Sequence, residues 1–267
     1  MIRREPLPPL RPYVSALWAE SGASSAAACA ARERVLPTGA THLVFRLSPE
    51  PLLLYDEPAG APRAVGHAVV GGPRSEAYLR DVSVSAATVG VQLRAGAAGL
   101  LFAGSAAELS GAHTPLEQLW GSAAERLREH LADLGDLDDR LDLLERVLLA
   151  RVPSLRDVHP VIMKSLERVG RGVAIRDVVS DSGYSHRRLL SLFQGAVGLT
   201  PKRYARVLRF GRTLPRLAHP GASLTQVALA EGYADQAHFT REFREMAGLS
   251  PNAYRALAPR HSHHVPA

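Results

Sequence analysis

Cysteine is nearly absent from this chain of 267 residues: Cys29 stands alone in a run of serines and alanines. A single thiol forms no intrachain disulfide and no cysteine-based zinc cluster. Long apolar runs are missing too. None reaches the roughly 20 residues of a membrane span without a charge or a proline, and the N-terminus has no basic-then-apolar leader. The expectation is a cytoplasmic protein with no membrane partner. Catalytic motifs are also lacking. There is no nucleophile elbow, phosphate loop or carboxylate pair, and the glycines Gly96 and Gly99 only open a helix. His42, His67 and His113 are isolated, so the N-terminal half lacks the His-x-His with a nearby carboxylate that a cupin enzyme would need. His261, His263 and His264 have metal-like spacing but sit in the last residues. The chain is expected to be no enzyme and to hold neither metal nor cofactor.

What the chain does have is an internal repeat. The first copy places Ile175, Val178 and Val179 on one helix, then Gly183-Tyr184, the cap Ser185, and a second helix with Leu189, Leu192 and Phe193 inward. The second copy runs from Leu224 to Phe243, about fifty residues on, with Gly232-Tyr233 at its turn and Phe239 and Phe243 inward. This is the grammar of a helix-turn-helix, written twice. A long helix opened by Thr200-Pro201 joins the copies, and Ser250-Pro251 with Tyr254 repeats that opening with Tyr204. Pro215 falls inside the long helix and threatens its last turn.

Charge is divided unevenly. Residues 1–160 hold 16 basic and 19 acidic side chains, net −3, whereas residues 161–267 hold 16 and 7, net +9. A basic repeat region attached to a near-neutral partner is the footprint of a polyanion-binding module.

The first 95 residues read as short strands: Thr41–Leu47, Leu52–Tyr55, Ala68–Val70, and alternating valines at Val82 and Val84, then Val89, Val91 and Leu93 around a bulge or turn at Ala86–Thr88. Ser21–Ala31 and Asp56–Ala64 read as loops. From Ala97 the period turns helical: Ala97–Phe102, a capping box at Ser105–Glu108, then Leu116–Leu131 and Asp136–Val152. The two longer helices suit packing on the strands, on a second subunit, or both. The fold class is α+β in two domains: a small β-rich barrel or sandwich with helices, and an all-α domain with two helix-turn-helix motifs joined by a long helix. The boundaries are 1–152 for the first domain, with its helical end at about 97–152, then 153–160 as linker, 161–258 for the DNA-binding domain, and 259–267 as a disordered tail.

In combination, Gly183-Tyr184-Ser185, Leu192-Phe193, Gly198-Leu199-Thr200-Pro201, Tyr204, Gly232-Tyr233, Phe239, Arg241, Phe243, Gly248-Leu249-Ser250-Pro251 and Tyr254 resemble the AraC/XylS family of bacterial transcription regulators. The resemblance covers about residues 161–257. Glu242 departs from it, because the family commonly has an apolar residue there. Arg34–Gly39, Leu43–Phe45, Gly90–Arg94, Gly96–Ala98 and Leu116–Trp120 are similar to a regulatory domain found in front of such modules, β-rich and often cupin-like. Many relatives have Asp where Thr38 stands, so a role resting on that carboxylate does not transfer.

The family pattern implies base contacts from Arg187, Leu190 and Ser191 in the first motif and from Gln236, Ala237, His238 and Arg241 in the second. Arginine suits guanine bidentately and glutamine suits adenine, whereas Leu190 offers only apolar contact. His186, Lys202, Arg203, Arg206 and Thr240 are expected at phosphates, as is Arg209; a solvated helix face is the plainer alternative for the long helix. Ligand candidates on predicted strands or their edges are Trp18, Arg34, His42, Arg46 and Arg94. The reading is a sequence-specific regulator of transcription, an activator by resemblance, that reads two adjacent major-groove segments. Its implied partners are double-stranded DNA, RNA polymerase, a small-molecule effector and a second copy in a homodimer. The rival is a cupin-like small-molecule enzyme or binding protein with an ancillary helical domain.

Overall fold

The computed structural model describes residues 1–22, 32–57, 60–152, 158–219 and 221–267. Cys29, most of the loop expected at Ser21–Ala31 and residues 153–157 of the expected linker lie outside the described residues.

The N-terminal half is built on two antiparallel sheets. The larger contains β1 (Ile2–Arg4), β2 (Val14–Ser21), β9 (Ala87–Leu93), β4 (His42–Arg46), β7 (Ala68–Gly71) and β10 (His113–Pro115), in that spatial order. The smaller contains β11 (His264–Pro266), β3 (Arg32–Val35), β8 (Tyr78–Asp81), β5 (Leu52–Tyr55) and β6 (Arg63–Gly66), again in spatial order. Alternation sets the register. Leu43 lies opposite Val91 and Val70, and Phe45 opposite Val89 and Ala68, so one face of the larger sheet is wholly apolar and buried. Phe45 is completely buried there, and its truncation to alanine would cost about 3–5 kcal/mol.

Helices cover that face. Short α1 (Ala98–Leu101), α2 (Ala106–Leu109) and α3 (Glu117–Trp120) precede α4 (Ala123–Asp133) and α5 (Leu137–Leu149). Leu127 and Leu131 of α4 join Leu141, Leu144 and Leu148 of α5 in one core with the sheet. Arg140 is buried because its Nε donates to the carbonyls of Leu131 and Leu134, closing the C-terminus of α4. Asp136 caps α5 by accepting from the N–H groups of Asp138 and Asp139.

The C-terminal half comprises α6 (Pro160–Gly170), α7 (Ile175–Ser180), α8 (His186–Val197), α9 (Pro201–Leu217), α10 (Leu224–Ala230), α11 (Gln236–Ala247) and α12 (Pro251–Leu257). Pro215 does not end α9; it is exposed, and the helix runs on to Leu217. Among the described residues no helix is long and apolar enough to cross a membrane.

Several expectations need correction. The stretch expected as one helix over Leu116–Leu131 breaks at Gly121, whose φ of 58° ends α3. Val82 and Val84 are outside any strand, and β9 runs unbroken through Ala87 and Thr88. The loop expected to Ala64 ends earlier, because β6 begins at Arg63. β1, β2 and β3 carry no clear alternating signal and were not expected. The tail 259–267 is ordered: β11 adds to the open edge of β3, with Val265 opposite Arg34. Its order has a physical reason. Val265 is completely buried in the core of the C-terminal half, and the β3 edge offers unpaired backbone groups.

Candidate nucleic-acid interface

Each motif presents its second helix to solvent from a separate core. Val178, Leu189 and Val169 pack the first motif, and Ile162, Phe193 and Val197 pack its far side. The second motif is held by an aromatic stack, with Phe210 of α9 5.0 Å from Phe243 and Tyr254 of α12 5.7 Å from Phe243. The caps match in the two copies. Ser185 accepts from the N–H of Arg188 and Asp235 from that of His238, fixing where each reading helix starts.

Of the expected base-facing residues, Arg187, Ser191, Gln236, Ala237 and Arg241 are exposed, and Leu190 is half-buried. Among the described residues none pairs with Arg187, Arg241, Lys202 or Arg203. Thr225 of α10 donates to Gln236 Oε1 at 2.8 Å and so holds that amide in one orientation. His238 is half-buried. Its ring stands edge-on to Tyr233 at 5.4 Å, Nδ1 accepts from the N–H of Ala234, and Nε2 lies 3.8 Å from Glu242. His186 is exposed at the start of α8, and Thr240 is half-buried.

Arg206 and Arg209 also differ from expectation, because both point at the second motif. Arg206 donates to Glu242 at 2.8 Å and to Glu245 at 2.6 Å. Arg209 reaches both oxygens of Glu242 at 2.9 Å and lies over the Tyr233 ring at 4.3 Å. One turn further along α9, Arg212 and Arg216 both bond the buried Glu231. Burial alone would raise the Glu242 carboxyl's pKa, but hydrogen bonds from Arg209 and Arg206 outweigh it and hold the group below its ordinary value. These four arginines therefore clamp α9 to the second motif through two buried carboxylates. The visible hint was Glu242, the acid where the family pattern has an apolar residue; its partners, 33 and 36 residues away, follow only from packing.

Both motifs also touch the N-terminal half. Ser105 Oγ donates to the carbonyl of Gly195 on α8 at 3.2 Å. The turn at Gly39 meets Tyr204 and Val207 of α9, and Leu36 sits in the core around Phe210 and Tyr254.

Three of the five ligand candidates share one face. Trp18, His42 and Arg46 lie on the side of the larger sheet that looks toward the smaller sheet, and the Trp18 and His42 rings are 6.1 Å apart. Burial, with His264, Arg74, His263 and Arg3 adding positive charge, lowers His42 to about 4, so it is neutral at pH 7. Arg34 and Arg94 do not join them. Arg34 lies on the outer face of β3 beside Gly248, and Arg94 donates to the carbonyl of Arg11.

Residues 178–257 match the family described as "Helix-turn-helix domain", and residues 2–115 match that described as "Domain of unknown function (DUF6597)". The HTH-type transcriptional activator RhaS of Escherichia fergusonii is 41% identical over 58 residues, 22% of this chain and 21% of that protein. The Melibiose operon regulatory protein of Escherichia coli K12 is 26% identical over 92 residues, 34% of this chain and 30% of that one. This chain thus spans less than a third of either regulator's length. Among solved structures, ToxT from Vibrio cholerae superposes with a TM-score of 0.44 at 8% identity, covering 92% of this chain and 97% of that one.

Proposed function

We propose, from a C-terminal half that is an AraC-type helix-turn-helix domain, that the whole chain is a sequence-specific regulator of transcription whose α8 and α11 enter two successive major-groove segments of one DNA duplex. The observation that carries this reading is the pair of like-capped, solvent-facing helices, with Arg187 and Arg241 unpaired among the described residues, bound to opposite ends of α9. At 17 residues, α9 is about 25 Å long, and with the width of the flanking motifs it suits the roughly 34 Å between successive major-groove segments. Arg187, Ser191, Gln236 and Arg241 read base edges, Leu190 and Ala237 make apolar contact, and His186, Lys202, Arg203 and Thr240 position phosphates. Arg206 and His238 leave the contact set, because their side chains are engaged within the fold.

The N-terminal half senses a small-molecule effector, and the bound regulator acts as an activator by contacting RNA polymerase. Homodimer formation places two such units on neighbouring sites. Footprinting the full chain on DNA selected from a random pool tests the reading: it should protect a non-palindromic site of about two helical turns per chain, in one orientation. Protection of a single short half-site would mean that the second motif is a structural copy.

A further inference from the structure

The first turn of α11 holds Gln236, Ala237 and His238. Ala237 has no polar atom in its side chain. His238 is already engaged, with Nδ1 accepting from the N–H of Ala234 at 3.4 Å and its ring edge-on to Tyr233. Gln236 is exposed and is left as the hydrogen-bonding side chain of that turn. Which end of its amide faces outward therefore decides what the turn can read.

A glutamine amide has two unlike ends, an oxygen that accepts and an NH2 that donates twice. Adenine needs both, the oxygen for its 6-amino group and the nitrogen for N7. Here the oxygen is occupied. Thr225 Oγ1 donates to Gln236 Oε1 at 2.8 Å, and among the described residues no acceptor takes the Nε2 hydrogens.

Backbone anchors hold the pair together. Thr225 is the second residue of α10, whose Val227 and Ala228 are buried in the core of the second motif. Gln236 opens α11 directly after the cap Asp235, which accepts from the His238 N–H at 2.6 Å, and Phe239 ties the same stretch into that core. Threonine is stiff at χ1, so its hydroxyl keeps to one place. Docking in a groove expels water from such a contact. An amide oxygen turned away would then leave the Thr225 hydroxyl without a partner, and an unpaired polar group costs most where water is gone.

Among the described residues the first motif has no such pair. Its corresponding residues are Arg176, second in α7, and His186, first in α8. Arg176 is 88% exposed and pairs with its neighbour Asp177 at 3.4 Å. The device is particular to the second motif.

We propose that Thr225 sets the base preference of the second motif by making Gln236 a donor-only reader, which takes guanine, whose N7 and O6 both accept, in place of adenine. Thymine offers a single acceptor, and cytosine presents its 4-amino group to the amide hydrogens, donor against donor. The inference rests on the reading of α11 as a base-reading helix. Thr225 is a positioning residue: it acts on the base through the amide.

The test uses the full chain and the duplex it selects from a random pool. Gln236→Ala identifies the base pair concerned, as the position whose preference is lost. Duplexes carrying each of the four base pairs there are then compared by competition gel shift. Wild type should favour guanine over adenine by about tenfold, the discrimination of one bidentate contact. Thr225→Val, which keeps the branched shape and removes the hydroxyl, should bring the two bases level, whereas Thr225→Ser should keep guanine ahead. Neither variant should alter affinity for random DNA. Preference for adenine in the wild type, an unchanged ratio in Thr225→Val even with weaker binding to all four duplexes, or Gln236→Ala without effect at any position would overturn the inference. A chain that selects no sequence at all defeats the proposed function as well. One whose Arg187→Ala variant relaxes a position of its own, while Thr225→Val shifts none, defeats this inference only.

Discussion

Glu242→Gln should be among the more damaging single changes in the C-terminal half, by a magnitude that the exposure of its partners decides. The Glu242 side chain is 5% exposed, and its partners Arg206 and Arg209 are 25% and 24% exposed. Removing one member of a buried ion pair costs about 3–5 kcal/mol. The arginines here regain some hydration, which lowers the expected loss to about 2–3 kcal/mol. Glu231→Gln is the internal comparison. That side chain is equally buried at 5%, but Arg212 and Arg216 are 47% and 53% exposed, so water replaces most of the lost pairing. A loss of about 1 kcal/mol is expected there. Urea unfolding of the full chain, followed by the helical circular dichroism band, measures both. The pH dependence adds a second check. Glu242 titrates below its ordinary value when folded, so its stabilisation is complete above the unfolded pKa of about 4.3 and is lost as pH falls through the lower folded value. The gap between wild type and Glu242→Gln should therefore narrow below about pH 4. If Glu231→Gln cost as much as Glu242→Gln, the argument from partner exposure would be wrong.

Three further outcomes are expected. Arg187→Ala and Arg241→Ala should each cost about 1–3 kcal/mol on the selected site and relax preference at one base pair, whereas Lys202→Ala should weaken selected and random DNA alike, as quantitative gel shifts would show. Gly198→Ala should destabilise more than Gly248→Ala. Both have left-handed φ, worth about 1–2 kcal/mol, but a Cβ at Gly198 meets Pro73 at 2.4 Å and the Ala106 carbonyl at 2.7 Å, and at Gly248 only the flexible Arg34 at 3.4 Å; equal losses in urea unfolding would contradict the packing of α8 on α2. His42 stays neutral in the fold to about pH 4, whereas its unfolded form takes a proton below about 6.5, so stability should fall as pH drops from about 6.5 toward 4, and a His42→Gln chain should show a flatter melting-temperature profile over that window.

Local pattern alone determined much of this protein. The repeated helix, Gly-Tyr turn, cap and helix, with Thr200-Pro201 and Ser250-Pro251 after each copy, placed the starts of α8, α9, α11 and α12, because caps, glycines and prolines act on their own neighbours; α8 and α11 run past the expected ends at Phe193 and Phe243 to Val197 and Ala247. Alternation placed β4, short apolar runs bounded by proline or glycine placed β5 and β7, and the exposed Arg187 and Arg241 followed from helical period. What the pattern did not contain was partnership across the fold. Arg206 looked like a phosphate contact until Glu242 was seen beneath it, since the spacing of arginines on a helix does not say which face another helix covers. The tail looked disordered because three residues show no period; it is a strand because the open edge of β3 and a buried site for Val265 lie within its reach. Trp18, His42 and Arg46 were visible as polar or aromatic strand residues, as were Arg34 and Arg94. Only the register of the sheets gathered the first three onto one face and turned Arg34 to the other side of β3, whereas Arg94 falls just past the end of β9 and bonds the carbonyl of Arg11, because a strand's facing is decided by its neighbours and not by its own sequence.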